Sequence, residues 1–153
     1  MFQALFQSPV GTLLIEGTRE AITGVHFVAP DTPVGKSCRI VNKARTQLKQ
    51  YFAGKRKVFD VPLDLSACRD FQKRVLAEVS AVEYGRTTTY GEIARRLKRV
   101  AAQRAVGRAN ARNPISIIVP CHRVIASNGK LTGYGGGLKA KEWLLLHEHA
   151  VLV

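Results

Sequence analysis

Residues 89–112 read TYGEIARRLKRVAAQRAVGRANAR, and this stretch decides how the second half of the chain is built. Thr89-Tyr90-Gly91-Glu92 has the form of a capping box, in which the Thr and Glu side chains satisfy free amides at a helix start. Ile93, Ala94 and Leu97 follow at the spacing of one buried helical face. After a short break a second helix is predicted from Ala101 to Arg112. Asn113-Pro114 stops it, because the residue before a proline is pushed out of helical conformation. Two short helices with a tight connection make a helix-turn-helix pattern at about residues 89–112. An ordinary helical hairpin fits the same spacing.

The second of these helices separates its faces. At about 100° per residue, Ala102, Ala105, Val106 and Ala109 fall on one side, and Arg104, Gly107, Arg108 and Arg112 on the other. A glycine weakens a helix that merely faces solvent. A helix pressed against a nucleic-acid backbone gains close approach from Gly107, and small alanines narrow it for a groove. The competing reading is a solvated basic face with an incidental glycine. Charge favours the first. Arg86, Arg95, Arg96, Lys98, Arg99, Arg104, Arg108 and Arg112 are opposed in this region only by Glu92, within a chain of net charge +13. Such an excess favours polyanionic partners.

Upstream, Phe2–Gln7, Thr12–Gly17 and Ile22–Val28 alternate apolar and polar residues. With turns at Ser8-Pro9-Val10-Gly11 and Gly17-Thr18-Arg19-Glu20, they predict a three-stranded antiparallel meander. Pro30 and Pro33 end that run. Ile40, Val41, Ala44, Leu48, Tyr51 and Phe52 mark a helix closed by Gly54, and residues 59–62 a further extended segment. From Ser66, a plausible N-cap, the stripe Phe71, Val75, Leu76 and Val79 predicts another helix. Ile115–Val119 reads as buried extended chain, Ser127-Asn128-Gly129 as a turn and residues 133–137 as a glycine-rich loop, before a final helix over Leu138–His147. The expected fold is α+β: a small N-terminal antiparallel β-meander plus helix over residues 1–65 with an architectural role, then a mostly helical C-terminal domain over residues 66–153.

Cys38, Cys68 and Cys121 leave an odd thiol however they pair. None lies in a Cys-x-x-Cys, and the histidines complete no finger-like spacing, so neither metal nor disulfide framework is expected. No apolar stretch reaches bilayer length and Met1-Phe2-Gln3-Ala4 lacks the features of a signal peptide, which predicts a cytoplasmic protein without a membrane partner. A free thiol suits such a reducing compartment.

Cys121 sits in Val119-Pro120-Cys121-His122-Arg123-Val124. A cysteine nucleophile works as its thiolate and needs a base or a positive environment. His122 has the right proton affinity. Neighbours on a strand point to opposite faces, but Pro120 suggests that the strand is ending, and a turn with a bridging water could couple the two. Arg123 is either a second source of positive potential or a structural anchor. A bare Cys-His pair is also what a structural core cysteine beside a satisfied histidine looks like.

The longer context resembles one family. Val119-Pro120-Cys121-His122-Arg123-Val124-Ile125 is similar to the acceptor signature of the O6-alkylguanine-DNA alkyltransferases. Residues 89–94, Arg104-Ala105-Val106-Gly107, Asn113-Pro114, Gly133-Tyr134, Glu142-Trp143-Leu144-Leu145 and His147-Glu148 keep the family's order across residues 66–148. The resemblance implies direct-reversal DNA repair without a cofactor. Cys121 takes the alkyl group irreversibly from O6-alkylguanine, with O4-alkylthymine as a further substrate. His122 removes the thiol proton through a water, and Glu148 orients that histidine. Tyr90 assists base rotation and neutralises the departing guanine, and Asn113 braces the active-site turn. Arg104 enters the base stack while its helix lies in the minor groove. Thr89, Gly91, Ala105, Gly107, Arg108 and Ser127 complete the implied DNA contacts, and Val124, Tyr134 and Gly135 the substrate pocket.

The implied partner is double-stranded DNA, bound by a monomer with scope for cooperativity; the implied location is the cytoplasm, at the nucleoid in a prokaryote, or the nucleus in a eukaryote. Glu83 and Leu76 depart from the proline and tryptophan common in the family, and the zinc ligands of its zinc-binding members and a fused phosphotriester-repair domain are not found. Gly135 lies at a variable position, where a missing side chain is expected to admit larger alkyl groups. The main competing reading is a lesion-recognition module that transfers nothing, against which Cys121 itself argues. A cysteine hydrolase and a plain helix-turn-helix regulator fit less of the pattern.

Overall fold

The computed structural model describes residues 1–150 and divides into two compact units. The first comprises Met1–Leu65 with Pro114–Ile118, and the second Ser66–Asn113 with the chain from Val119 on. The sequence reading placed residues 114–118 in the second domain; they cluster with the first, because Ile115 pairs with its sheet. No helix among the described residues is long and apolar enough to cross a membrane.

In the first unit, β1 (Phe2–Ser8), β2 (Gly11–Gly17) and β3 (Ile22–Val28) form the antiparallel meander in that order. Leu13, Ile15, Ile22 and Val25 turn inward and are fully buried. Helix α1 (Arg39–Phe52) covers β1 and β2 with Val41, Ala44, Leu48 and Tyr51. Its end is a Schellman motif: Gly54 N–H donates to Tyr51 O at 3.0 Å and Lys55 N–H to Gln50 O at 2.9 Å. Gly54 has φ 75°, which only glycine adopts cheaply. Buried Gln47 exchanges two hydrogen bonds with the Asp60 backbone and so ties the following loop to the helix.

Residues 59–62 do not form the expected extended segment. Pro62 has no amide to donate, and pairing is limited to a parallel bridge between Ile22 and Leu63. Ile115–Val119 is buried as expected but is not a continuous strand. A single parallel bridge joins Ile115 to Val25, and the chain then turns at Ile117, whose φ is 73°. Ile118 N–H donates to Ser116 O at 2.8 Å, closing a γ-turn around that residue. A β-branched residue in the left-handed region is strained, and burial of Ile117 opposes its release.

In the second unit, α2 (Asp70–Ser80) begins at an Arg69 N-cap without a side-chain cap, rather than at Ser66; Asp70 supplies negative charge in the first turn. The strands β4 (Thr88–Thr89) and β5 (Val124–Ile125) pair in parallel, which the sequence did not suggest. Thr89 caps α3 (Tyr90–Arg96) by accepting from Glu92 N–H at 3.1 Å. The reciprocal half of the capping box is not made, because the Glu92 carboxylate pairs with Arg95 and Arg96. A 3-10 turn, Val100–Ala102, precedes α4 (Gln103–Ala111), which starts two residues later than expected and packs against α2 and α3. Gln72 on α2 donates to Ala109 O and Arg112 O, closing the end of α4. The last helix is α5 (Leu138–His147).

Gly54→Ala should lower unfolding stability by about 1 kcal/mol from backbone conformation alone, since an added Cβ meets nothing within 4 Å. Denaturant titration of the variant against wild type checks this.

Candidate active site

Cys121 opens a one-turn 3-10 helix, Cys121–Arg123. Pro120, at φ −82° and ψ 62°, centres an inverse γ-turn in which Cys121 N–H donates to Val119 O at 2.8 Å. Two asparagines pin this turn. Asn113 Nδ2 donates to Val119 O at 2.8 Å, and Asn110 Nδ2 on α4 donates to Cys121 O at 3.2 Å. The Asn113 side chain also hydrogen-bonds the Cys121 sulfur. A turn replaces the strand whose alternation would have sent Cys121 and His122 to opposite faces.

His122 is wholly buried, and its Nε2 lies 2.7 Å from Glu148 Oε2 at the C-cap of α5. Its Nδ1 has no hydrogen-bond partner among the described residues. The same carboxylate receives Arg123, with Nε donating to Oε1 at 2.8 Å and Nη2 to Oε2 at 3.1 Å. Arg123 Nη1 donates to Val82 O at 2.7 Å, and the guanidinium lies over the Tyr84 ring. Arg123 is thus an anchor.

Burial pushes the Cys121 thiol up in pKa, against the opposing effects of the Asn113 hydrogen bond, the Lys141 charge and the Cys121 and His122 backbone amides. The resting residue is the thiol, so a thiolate has to be made by a base. Burial likewise lowers the pKa of His122 and keeps it neutral at rest, although Glu148 pulls the other way. Burial alone would raise Glu148, but hydrogen bonds and charges from His122 and Arg123 overcome it and hold the carboxyl at about 2. The neutral imidazole and the ionised carboxylate form a pair that can take up a proton and stabilise the resulting imidazolium.

Around this core, Tyr90 Oη is 3.0 Å from Thr132 Oγ1, and the Tyr90 ring lies 3.9 Å from where a Gly107 Cβ would stand. A Cβ on Gly91 would meet Gln103 and Ser127 at 3.2 and 3.4 Å, so the starts of α3 and α4 and the Ser127 turn are neighbours there. Arg104 and Arg108 are exposed on α4, and Ala105 is half-buried. The Tyr134 ring stands edge-on to His122 with centroids 6.4 Å apart. Gly135 faces open space, whereas Val124 is fully buried in β5.

Sequence reasoning missed Asn110 and Lys141. Lys141 is fully buried, donates to Val124 O at 2.7 Å and Thr132 O at 2.8 Å, and is lowered by burial to about 8. It is buried with Ala140, Leu144 and Leu145, but Leu138 and Leu146 are exposed on the same helix, so α5 shows no separate apolar face in its sequence that would have marked Lys141.

The comparisons with known proteins agree along the whole chain. The model described as "6-O-methylguanine DNA methyltransferase, DNA binding domain" matches residues 70–150, and that described as "6-O-methylguanine DNA methyltransferase, ribonuclease-like domain" matches residues 1–65. A methylated-DNA–protein-cysteine methyltransferase of Methanosarcina acetivorans is 47% identical over 95% of this chain and 96% of its own length. One from Mycolicibacterium paratuberculosis is 44% identical, covering 92% and 88%. Among solved structures, Mycobacterium tuberculosis OGT in complex with DNA superposes with a TM-score of 0.87 at 42% identity, covering 97% of this chain and 93% of that one. An O6-methylguanine DNA methyltransferase from Methanococcus jannaschii gives 0.70 at 29%, covering 98% and 95%. This chain belongs to the 6-O-methylguanine DNA methyltransferase family.

Acid should destabilise the fold in two stages. His122 is lowered from 6.5, so the unfolded chain binds its proton first and stability falls as pH drops below 6.5. Glu148 is lowered from 4.5 to about 2, so its contribution is lost between those values. Unfolding free energies measured across pH should lose the lower stage in Glu148→Gln.

Proposed function

We propose that this chain repairs O6-alkylguanine in duplex DNA by moving the alkyl group to its own Cys121. The observation that carries the reading is a pinned turn with a buried thiol followed directly in the chain by a histidine held by an ionised carboxylate. His122 takes the thiol proton through a water at Nδ1. The thiolate attacks the alkyl carbon, the S–C bond forms as the C–O6 bond breaks, and the electron pair leaves with guanine. Tyr90 helps neutralise the guanine anion as it is protonated. The thioether stays on the protein, which makes Cys121 a consumed reagent.

A guanine O6 inside a stacked duplex is out of reach, so the base must be flipped. Arg104 fills the space it leaves, while α4 lies in the minor groove with Ala105 and Gly107 allowing close approach. Thr89, Gly91, Arg108 and Ser127 hold the DNA strand. The exposure of Arg104 and Arg108, and the grouping of Gly91 with Ser127, support this assignment. Asn113 positions the acceptor turn, and Tyr134 lines the pocket beside His122. Open space at Gly135 supports acceptance of alkyl groups larger than methyl, and Val124 acts as a buried wall. The protein works as a monomer on DNA in the cytoplasm, at the nucleoid in a prokaryotic cell.

Incubation with duplex DNA carrying O6-methylguanine should add one methyl per molecule, mapped to the Cys121 peptide by mass spectrometry and absent in Cys121→Ser. Lesion binding with no methylated peptide would select the non-transferring module instead. Arg104→Ala should slow repair of duplex DNA by at least about tenfold while sparing transfer from a free O6-alkylguanine base, which needs no flipping. Parallel rate measurements on the two substrates check this.

A further inference from the structure

The carboxylate that holds His122 is itself held. Glu148 Oε1 accepts from Arg123 Nε, and Oε2 accepts from Arg123 Nη2 and lies 2.7 Å from His122 Nε2. The remaining guanidinium nitrogen, Nη1, is fixed to Val82 O, so Arg123 cannot swing away without losing a third bond. A guanidinium in this fork geometry dictates the orientation of the carboxylate plane. Burial is complete for His122, while Arg123 is 7% and Glu148 1% exposed, so water does not compete for these contacts.

We propose that Arg123 is a positioning residue that commits His122 to act as a base through Nδ1, by occupying both oxygens of Glu148. The inference rests on His122 being the base for Cys121. A carboxylate paired with Arg123 carries no proton and can only accept. His122 Nε2 must then be the protonated nitrogen, which leaves the lone pair on Nδ1. That is the ring nitrogen without a partner among the described residues.

Arg123 also divides the field of Glu148. The groups around His122 are Glu148, which favours its protonation, Arg123 and Lys141, which oppose it, the Cys121 thiol on its own turn, and the ring of Tyr134. Without Arg123 the full charge of Glu148 would fall on the imidazole, and His122 would hold its proton at a higher pH. A histidine already protonated cannot take one from the thiol.

The test combines nitrogen-15 NMR of histidine-labelled protein with the pH dependence of Cys121 alkylation by iodoacetamide, without DNA. Wild type should show His122 as the Nε2–H tautomer. Arg123→Gln should hold the His122 imidazolium to higher pH, shift the alkylation profile toward higher pH and slow it at neutral pH by at least about tenfold. Arg123→Lys, which restores the charge without the fork, should recover the neutral ring and part of the rate. An Nδ1–H tautomer in wild type would overturn the proposal, as would Arg123→Gln with unchanged His122 protonation and alkylation profile. Should Arg123→Gln not fold, Arg123→Lys decides, and an alkylation profile identical to wild type there would overturn the proposal. Because neither measurement uses DNA, failure of methyl transfer from O6-methylguanine DNA would count against the repair reading and leave this one standing.

Discussion

An ionised carboxylate buried in a protein is costly unless its charge is paired and its lone pairs are satisfied. Glu148 meets that condition through Arg123 and His122, and the second unit is organised around doing so. The turn that contains Cys121 also delivers both partners of the carboxylate. The end of α5 supplies the acid, and the segment after α2 supplies Val82 O, which completes the guanidinium. Removing Glu148 therefore leaves Arg123 without its ion pair and His122 without its orienting contact. Removing Arg123 leaves the buried carboxylate with the imidazole as its remaining side-chain partner in this network.

Where local chemistry governs, the sequence was readable. Thr89 caps α3 as expected, the meander runs in its predicted order, and Gly54 closes α1. Alternation and turn residues act over a few positions, so they can be read without knowing the fold. Departures arose where a partner is distant. Arg123 could not be resolved between field and anchor because Glu148 lies 25 residues away and Val82 lies 41 away. The β4–β5 pair is two residues long and has no periodic signature. Ser66 resembled a cap, yet α2 starts later with no side-chain cap, a choice left to packing. Glu92 met half of its motif because two nearby arginines compete for its carboxylate.

The acceptor turn illustrates a middle case. Pro120 signalled the end of an extended run, and an inverse γ-turn is centred there. That two asparagines would secure the carbonyls on either side was visible only in part. Asn113 was expected to brace the turn, but Asn110 was not singled out. Its burial beside Cys121 O depends on where α4 meets the turn, which spacing does not encode.

The five residues Pro114–Ile118 complete the first unit from far along the chain. During synthesis the β-meander and α1 emerge first, but the bridge between Val25 and Ile115 must wait until most of the second unit has been made. Closing so long a loop carries an entropic cost that local contacts cannot reduce. The order of translation and the order of completion therefore differ: residues 1–65 are made before the second unit, but the unit they form cannot be completed before residues 114–118. Its final assembly is tied to a segment that ends three residues before Cys121.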